Sequence, residues 1–269
     1  MSINMAEEDV EKVSIIPAER QKQIFEYISV NNSVQIRELA IRFDVSEATI
    51  RRDLDDLART GKIARAHGGA MRSQYSTSFE RLYSEKMQLM QEEKRRIAVA
   101  AAELVKNGDA VLLDSGTTTF LVAQELSKHE DLTVITHDLH IADTVILHHT
   151  SSMMITGGLR RGNDYHVLQG NMVDDFFRGI IVNIAFLGAD AITPEHCLMN
   201  ANVFEANTKK LMMHSCETKV LVADHTKFGQ IALAYVCDID VFDYVITDKE
   251  LNKETAAQLE HTGIKLILV

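Results

Sequence analysis

Arg51 and Arg52 stand in the run Ser46-Glu47-Ala48-Thr49-Ile50-Arg51-Arg52-Asp53-Leu54. Ser46, Glu47, Ala48, Thr49, Arg51 and Arg52 offer two guanidinium forks, hydroxyls and a small methyl, groups suited to the phosphates and base edges of a duplex. Downstream, Lys62, Arg65 and His67 alternate with small or apolar residues, as they would on a basic two-stranded wing lying near phosphates. A different chemistry sits at Asp114-Ser115-Gly116-Thr117-Thr118-Thr119, where an apolar run passes directly into helix-like sequence. Gly116 allows close backbone approach, and the hydroxyls and free N–H groups of a helix start make an anion site suited to a phosphate. An ordinary N-cap cluster is the alternative. The spacing is not G-x-x-x-x-G-K-[ST], so nucleoside triphosphate hydrolysis is not indicated.

Three further strand ends carry polar groups. Thr156-Gly157-Gly158-Leu159-Arg160-Arg161-Gly162 pairs glycines with arginines, either closing over an anion or forming a tight turn with solvated charges. Leu187-Gly188-Ala189-Asp190 is followed by Glu205 and Lys209. Its carboxylates suit sugar hydroxyls, and Glu205 with Lys209 could equally be an i,i+4 surface pair. Ala223-Asp224-His225-Thr226-Lys227-Phe228-Gly229 adds a cation. The histidines, His137, His140, His148 and His149 among them, make no tight ligand constellation, so no metal is expected.

The elements that must hold these groups fall into two kinds. In residues 33–71 two short amphipathic helices are expected. The first buries Ile36, Leu39, Ala40 and Phe43, and the second Ile50, Leu54 and Leu57, with Ser33 and Ser46 as N-caps. The turn between them, at Asp44 and Val45, suits the steep crossing of a helix-turn-helix, with the N-terminal residues of its second helix in a major groove. A helix pair serving only as a protein–protein module is the alternative. A preceding helix from Pro17 to about residue 30 presents Ile24, Phe25 and Ile28 inward. Residues 1–16 are expected to be a loose arm. This places a winged helix-turn-helix domain at 17–72 and a polar linker at 73–83.

Residues 84–269 are then an α/β domain of Rossmann-like character. A long helix is expected over 84–106, with the charge run 92–96 as its solvated face. Apolar runs at 110–113, 132–136, 152–156, 180–187, 219–223, 244–247 and 264–269 alternate with helical stretches, which implies a mainly parallel sheet covered on both faces.

Composition narrows the partners. Hydrophobic content of 46% and charged content of 25% suit a soluble globular chain. Net charge is -11, but residues 17–72 hold 10 Lys+Arg against 8 Asp+Glu, or +2, leaving 18 against 31, or -13, for the rest. The acidic remainder is repelled by DNA, which confines contact to the N-terminal part and argues against a membrane surface. Cys197, Cys216 and Cys237 form no C-x-x-C pair and read as reduced thiols in a cytoplasmic protein. Residues 1–13 are acidic and do not resemble a signal peptide. No apolar run reaches the roughly 18 residues of a membrane helix.

The run Thr49-Ile50-Arg51-Arg52-Asp53-Leu54, with the basic segment ending His67-Gly68-Gly69-Ala70, resembles the DNA-binding domain of DeoR-family bacterial transcription regulators. The strand ends, in their order, resemble that family's C-terminal sensor domain, which is similar to ribose-5-phosphate isomerase. The resemblance implies a phosphorylated sugar as effector, with Ser115, Gly116, Thr117 and Thr118, beside Asp114, at its phosphate. It implies Gly157, Gly158 and Arg160 as loop contacts, and Asp190, Glu205 and Lys227 facing the sugar. Those isomerases carry a Lys-Gly-Gly segment where this chain has Cys197-Leu198-Met199-Asn200-Ala201-Asn202. Binding without turnover is therefore expected, with an isomerase bearing an accessory domain as the alternative. Asn163-Asp164-Tyr165-His166 stands where the family often has small hydroxyl residues, which points to a different sugar. The expectation is a cytoplasmic, homo-oligomeric repressor of a sugar-utilisation operon, with operator DNA as partner and no cofactor.

Overall fold

The computed structural model describes residues 16–31, 33–59, 63–72, 77, 80–162 and 165–269. The arm expected at 1–16 therefore falls, except for Ile16, outside the described residues, as do Lys62, Asn163, Asp164 and most of the linker. The chain divides into two compact units, Met1–Ser76 and Thr77–Val269.

The first unit is a small helical head with a sheet. Helix α1 (Pro17–Asn31) precedes strand β1 (Ser33–Gln35), helices α2 (Ile36–Arg42) and α3 (Glu47–Arg59), and strands β2 (Ile63–Ala66) and β3 (Gly69–Arg72). Ile24, Ile28, Leu39, Ile50 and Leu54 are fully buried together, because each recurs at helical spacing on one face of its helix. Ala40 and Phe43 are only partly buried at the edge of that cluster. Asp44 turns the chain between α2 and α3 in the left-handed region, φ 51°, which a short polar side chain tolerates.

Two sequence expectations change here. The wing has three strands, not two: β1 pairs antiparallel with β3 and β3 with β2. Ser33 does not cap a helix, because it opens β1 opposite Met71, and Gln35 precedes α2 instead. Gly69 is the residue that lets β1 approach, since a Cβ there would stand 2.0 Å from the Val34 carbonyl oxygen.

The second unit begins with α4 (Tyr83–Gln88) and α5 (Gln91–Ala102). It continues through β4 (Ala110–Leu113), α6 (Thr117–Glu125), β5 (Thr133–Thr136), α7 (Leu139–Thr144), β6 (Ser152–Ile155), β7 (Leu159–Arg160) and β8 (Leu168–Gln169). Then come α8 (Asn171–Arg178), β9 (Val182–Leu187), β10 (Ala191–Ile192), β11 (Cys197–Asn200), α9 (Val203–His214) and β12 (Cys216–Val222). It closes with β13 (Ala234–Asp238), β14 (Tyr244–Thr247), α10 (Lys253–His261) and β15 (Lys265–Leu268). Seven strands form one sheet in the order β15-β14-β12-β9-β4-β5-β6, every neighbouring pair parallel.

Alternate residues serve opposite faces. Val111 and Leu113 of β4 pack with Ile97 of α5 and Phe120 of α6, while Leu112 packs with Phe177 of α8 and Met212 of α9. Two smaller antiparallel sheets, β10-β11-β13 and β7-β8, flank this layer.

The helix expected over 84–106 is two helices. Met90 adopts φ 50° and breaks the run after α4. The charge run 92–96 is not wholly solvated either: Glu92, Arg95 and Arg96 are exposed, but Lys94 is 4% exposed. Among the described residues no helix is long and apolar enough to cross a membrane.

Candidate functional site

Of the residues expected to meet DNA, all but Lys62, which lies outside the described residues, stand at the start of α3 and on the wing. Ser46, Glu47, Ala48, Arg51 and Arg52 are exposed, while Ile50, Asp53, Leu54 and Leu57 face the core. Ser46 caps α3: its Oγ accepts from the Thr49 N–H at 3.1 Å and lies 2.9 Å from the Thr49 hydroxyl. Arg51 Nη2 stands 3.3 Å from Glu47 Oε2, an exposed pair one turn apart that a phosphate can displace. Arg65 braces the wing against α3, with Nε 3.0 Å from Asp55 Oδ1 and Nη1 donating to the Gly69 carbonyl at 3.0 Å. His67 is exposed at the tip between β2 and β3. Helix α3 is held from behind by Asp53, which accepts from Arg20 of α1.

In the second unit a pocket opens beyond the carboxyl ends of the sheet strands, where α/β sheets hold ligands. Ser115, Gly116, Thr117, Thr118 and Thr119 form one wall. Gly116 precedes α6 at φ 138°, a conformation that L side chains rarely adopt, and so turns β4 sharply into the helix. Asp138, the N-cap of α7, accepts from the Gly116 N–H at 3.2 Å as well as from His140 and Ile141. Burial pushes the Asp138 carboxyl above its usual range.

Four lysines share this pocket. Lys94, Lys86, Lys209 and Lys227 all line the pocket. Lys94 Nζ donates to the Lys86 carbonyl oxygen at 2.5 Å and has no carboxylate within ion-pair distance among the described residues. Burial pushes its pKa down to about 8. Burial likewise lowers that of Lys227, offset in part by Asp224.

Lys209 is different. It forms a buried ion pair with Asp114 Oδ2 and donates to the Gly188 carbonyl at 3.0 Å, while the Gly188 N–H donates to the same Asp114 oxygen at 2.8 Å. Asp114 is thus turned into the protein and does not line the pocket. His137, beside it, is pushed down to about 4 by burial and is neutral at ordinary pH.

Acidic groups line the same pocket. Lys86 Nζ bridges Glu80 at 2.8 Å and Asp190 at 3.0 Å. Burial works to lower the pKa of Lys86, but Asp190 and Glu80 outweigh it and hold it high. Asp190 also accepts from the Ala201 N–H at 3.0 Å. Arg161 Nη1 lies 2.7 Å from Glu80 Oε2 and is bonded to Glu205 as well. Burial, and then the Glu80 carboxylate, push Glu205 up to about 7.

The pocket therefore gathers Ser115, Gly116, Thr117, Thr118, Asp190, Glu205 and Lys227, but not Gly157, Gly158 or Arg160. Gly158 turns toward α8, where a Cβ would meet Val173 at 2.8 Å, and Arg160 lies exposed on β7. The neighbouring Arg161 faces the pocket's acidic wall instead. Glu205 and Lys209 are not a surface pair: both are buried, and each has other partners. Lys94 was concealed in a run of charges, yet Lys94, Ile97, Ala98 and Ala101 follow i, i+3, i+4, i+7, which places the lysine on the inward face. Glu80, Tyr83 and Lys86 carry no such signal.

Among the described residues, one group could offer metal ligands, His225, Asp248 and Glu250, whose atoms lie within 4.8 Å of one another. The Asp248 carboxylate is already occupied by His225 Nδ1 at 2.7 Å and by the His225 and Glu250 N–H groups.

Comparison with known proteins covers both units. Residues 20–75 match the DeoR-like helix-turn-helix domain and residues 89–249 the DeoR C terminal sensor domain. The chain is 32% identical to the HTH-type transcriptional regulator GolR of Listeria innocua over 93% of its own length and 98% of that protein. It is 33% identical to the glycerol-3-phosphate regulon repressor of Escherichia coli (strain K12), over 86% of this chain and 90% of that one. Among solved structures, ribose 5-phosphate isomerase from Plasmodium falciparum matches with TM-score 0.37 and 17% identity, over 52% of this chain and 53% of that one.

Proposed function

Because the chain belongs to the DeoR family of transcriptional regulators, we propose that it represses a sugar-utilisation operon and releases it on binding a phosphorylated sugar. The head binds operator DNA through Ser46, Glu47, Ala48, Thr49, Arg51 and Arg52 of α3 and its approach, with Lys62, Arg65 and His67 of the wing at phosphates. Two heads on a symmetric oligomer read repeated half-sites in the cytoplasm. The sensor takes the phosphoryl group at Ser115, Gly116, Thr117 and Thr118, and sugar hydroxyls at Asp190 and Glu205, with Lys227 alongside. Effector binding favours one arrangement of the heads, and operator affinity changes by linkage, on a scale of about 1–3 kcal/mol.

One observation carries the sensor reading: the buried ammonium of Lys94 has no carboxylate partner among the described residues, in the same pocket as the start of α6. Asp224 offsets the burial of that charge only in part, and a buried cation at a helix start is matched by an anion. No observation favours the isomerase alternative, since Cys197–Asn200 forms a strand and supplies no lysine there.

Thermal denaturation with ribose 5-phosphate and glycerol 3-phosphate, against ribose and glycerol, tests the sensor. A phosphate ester at 100 times its dissociation constant adds about 2.7 kcal/mol. Equal melting with and without the phosphoryl group would remove the anion site. Electrophoretic mobility shift on the region upstream of the chain's own gene, with and without the active ester, tests repression.

A further inference from the structure

We propose that Tyr83 contacts the ligand of the sensor pocket, its hydroxyl donating a hydrogen bond to an oxygen of the bound phosphate ester. The proposal rests on the sensor reading above and deepens it. Tyr83 opens α4 and lines the pocket. Its ring is held edge-on by two imidazoles, His140 at 5.2 Å and His166 at 5.1 Å between centroids. The hydroxyl oxygen is closed off from solvent, yet no donor or acceptor among the described residues bonds it. Buried hydroxyls are ordinarily paired, and a phenylalanine would fill this space without an orphaned polar atom. Burial, and then the Asp138 carboxylate, keep the phenol protonated, so it is a donor.

The wall that carries Tyr83 is able to yield. No residue of α4 is buried. Met87 packs partly against the core, and otherwise the helix is tied down by Lys86, through Glu80 and Asp190, and by the Lys94 ammonium on the Lys86 carbonyl. A phosphoryl group that draws Lys94 away from that carbonyl loosens α4 and brings the hydroxyl within reach.

The test compares the full-length chain with Tyr83→Phe, in unliganded thermal melts and in calorimetric titrations with ribose 5-phosphate and glycerol 3-phosphate. The variant is expected to melt at the same temperature or higher, and to bind whichever ester the wild type takes about tenfold more weakly. A lower unliganded melting temperature would mean that the hydroxyl has a structural partner, and the proposal fails. Equal affinity in the two proteins overturns the Tyr83 contact alone. If the wild type takes up neither ester, the sensor reading falls and this proposal with it.

Discussion

Arg20 grips both carboxylate oxygens of Asp53, its Nε donating to Oδ2 at 2.6 Å and its Nη2 to Oδ1 at 3.2 Å. Gln21 adds a donor to Oδ1 at 3.2 Å. Both charges are buried, so α1 is fastened to the back of the helix whose front carries Arg51 and Arg52. The forked guanidinium fixes angle as well as distance.

Breaking that pair should therefore unfold the head before the sensor. Asp53→Ala leaves a buried guanidinium without its partner and should cost about 3–5 kcal/mol. Urea unfolding of the full chain followed by far-ultraviolet dichroism should show an early helical transition in the variant. Arg20→Met combined with Asp53→Leu should recover much of the loss, because an apolar pair removes both desolvation costs.

Arg51→Ala with Arg52→Ala should weaken operator binding and leave the thermal melt unchanged, since both side chains are exposed. For each phosphate that the variant no longer neutralises, the log–log salt slope should become shallower by about 0.9. Titrations at several salt concentrations measure it, and an unaltered slope and affinity would take α3 off the duplex.

Lys94 gives a pH signature. Its folded pKa of about 8 lies below that of an unfolded lysine, so the folded state disfavours the charge. Unfolded chains then bind the extra proton between pH about 8 and about 10.4, and stability of the free protein rises across that window. Ligand affinity runs the other way: a phosphate ester needs the ammonium, so binding should weaken by up to about tenfold per unit above pH 8. Lys94→Met should flatten both profiles, raise the free protein's stability near neutrality and abolish the response to phosphate esters. Chemical denaturation and calorimetry across pH 7–10 follow the two slopes.

Thr117→Asp places a carboxylate at the start of α6, inside the proposed anion site. The variant should keep its affinity for operator DNA and lose release by phosphate esters. A mobility shift that still collapses normally with the ester would put the effector elsewhere.

Periodicity was enough for much of this fold. Ile50, Leu54 and Leu57 on one stripe, and the apolar runs that became β4, β5, β9 and β14, were legible because each is a local pattern. What stayed hidden depends on distant partners. Lys209 reads as half of a pair with Glu205 until the sheet brings Asp114 beside it. Asp114 itself, expected at the ligand, is engaged by Lys209 and the Gly188 N–H. The break at Met90 has no glycine or proline to announce it. Strands of two residues such as β7 and β10 are too short for alternation to show, and α8 offers only Val173 and Phe177 as an inward pair.

The order of strands in the large sheet also sets an order in time. Val111 of β4 lies against Ile184 of β9, so the middle of the sheet joins segments far apart along the chain. The closure cost grows only slowly with loop length, but non-local parallel pairings of this kind are slow to form. The head's strand pairings are antiparallel and nearer along the chain, the widest joining Ser33 to Met71. A ribosome extruding this chain releases a finished helical head while β4 still waits for β9. During that interval the nascent polypeptide holds exposed apolar strand edges, the stretch of its synthesis at which a chaperone has most to protect.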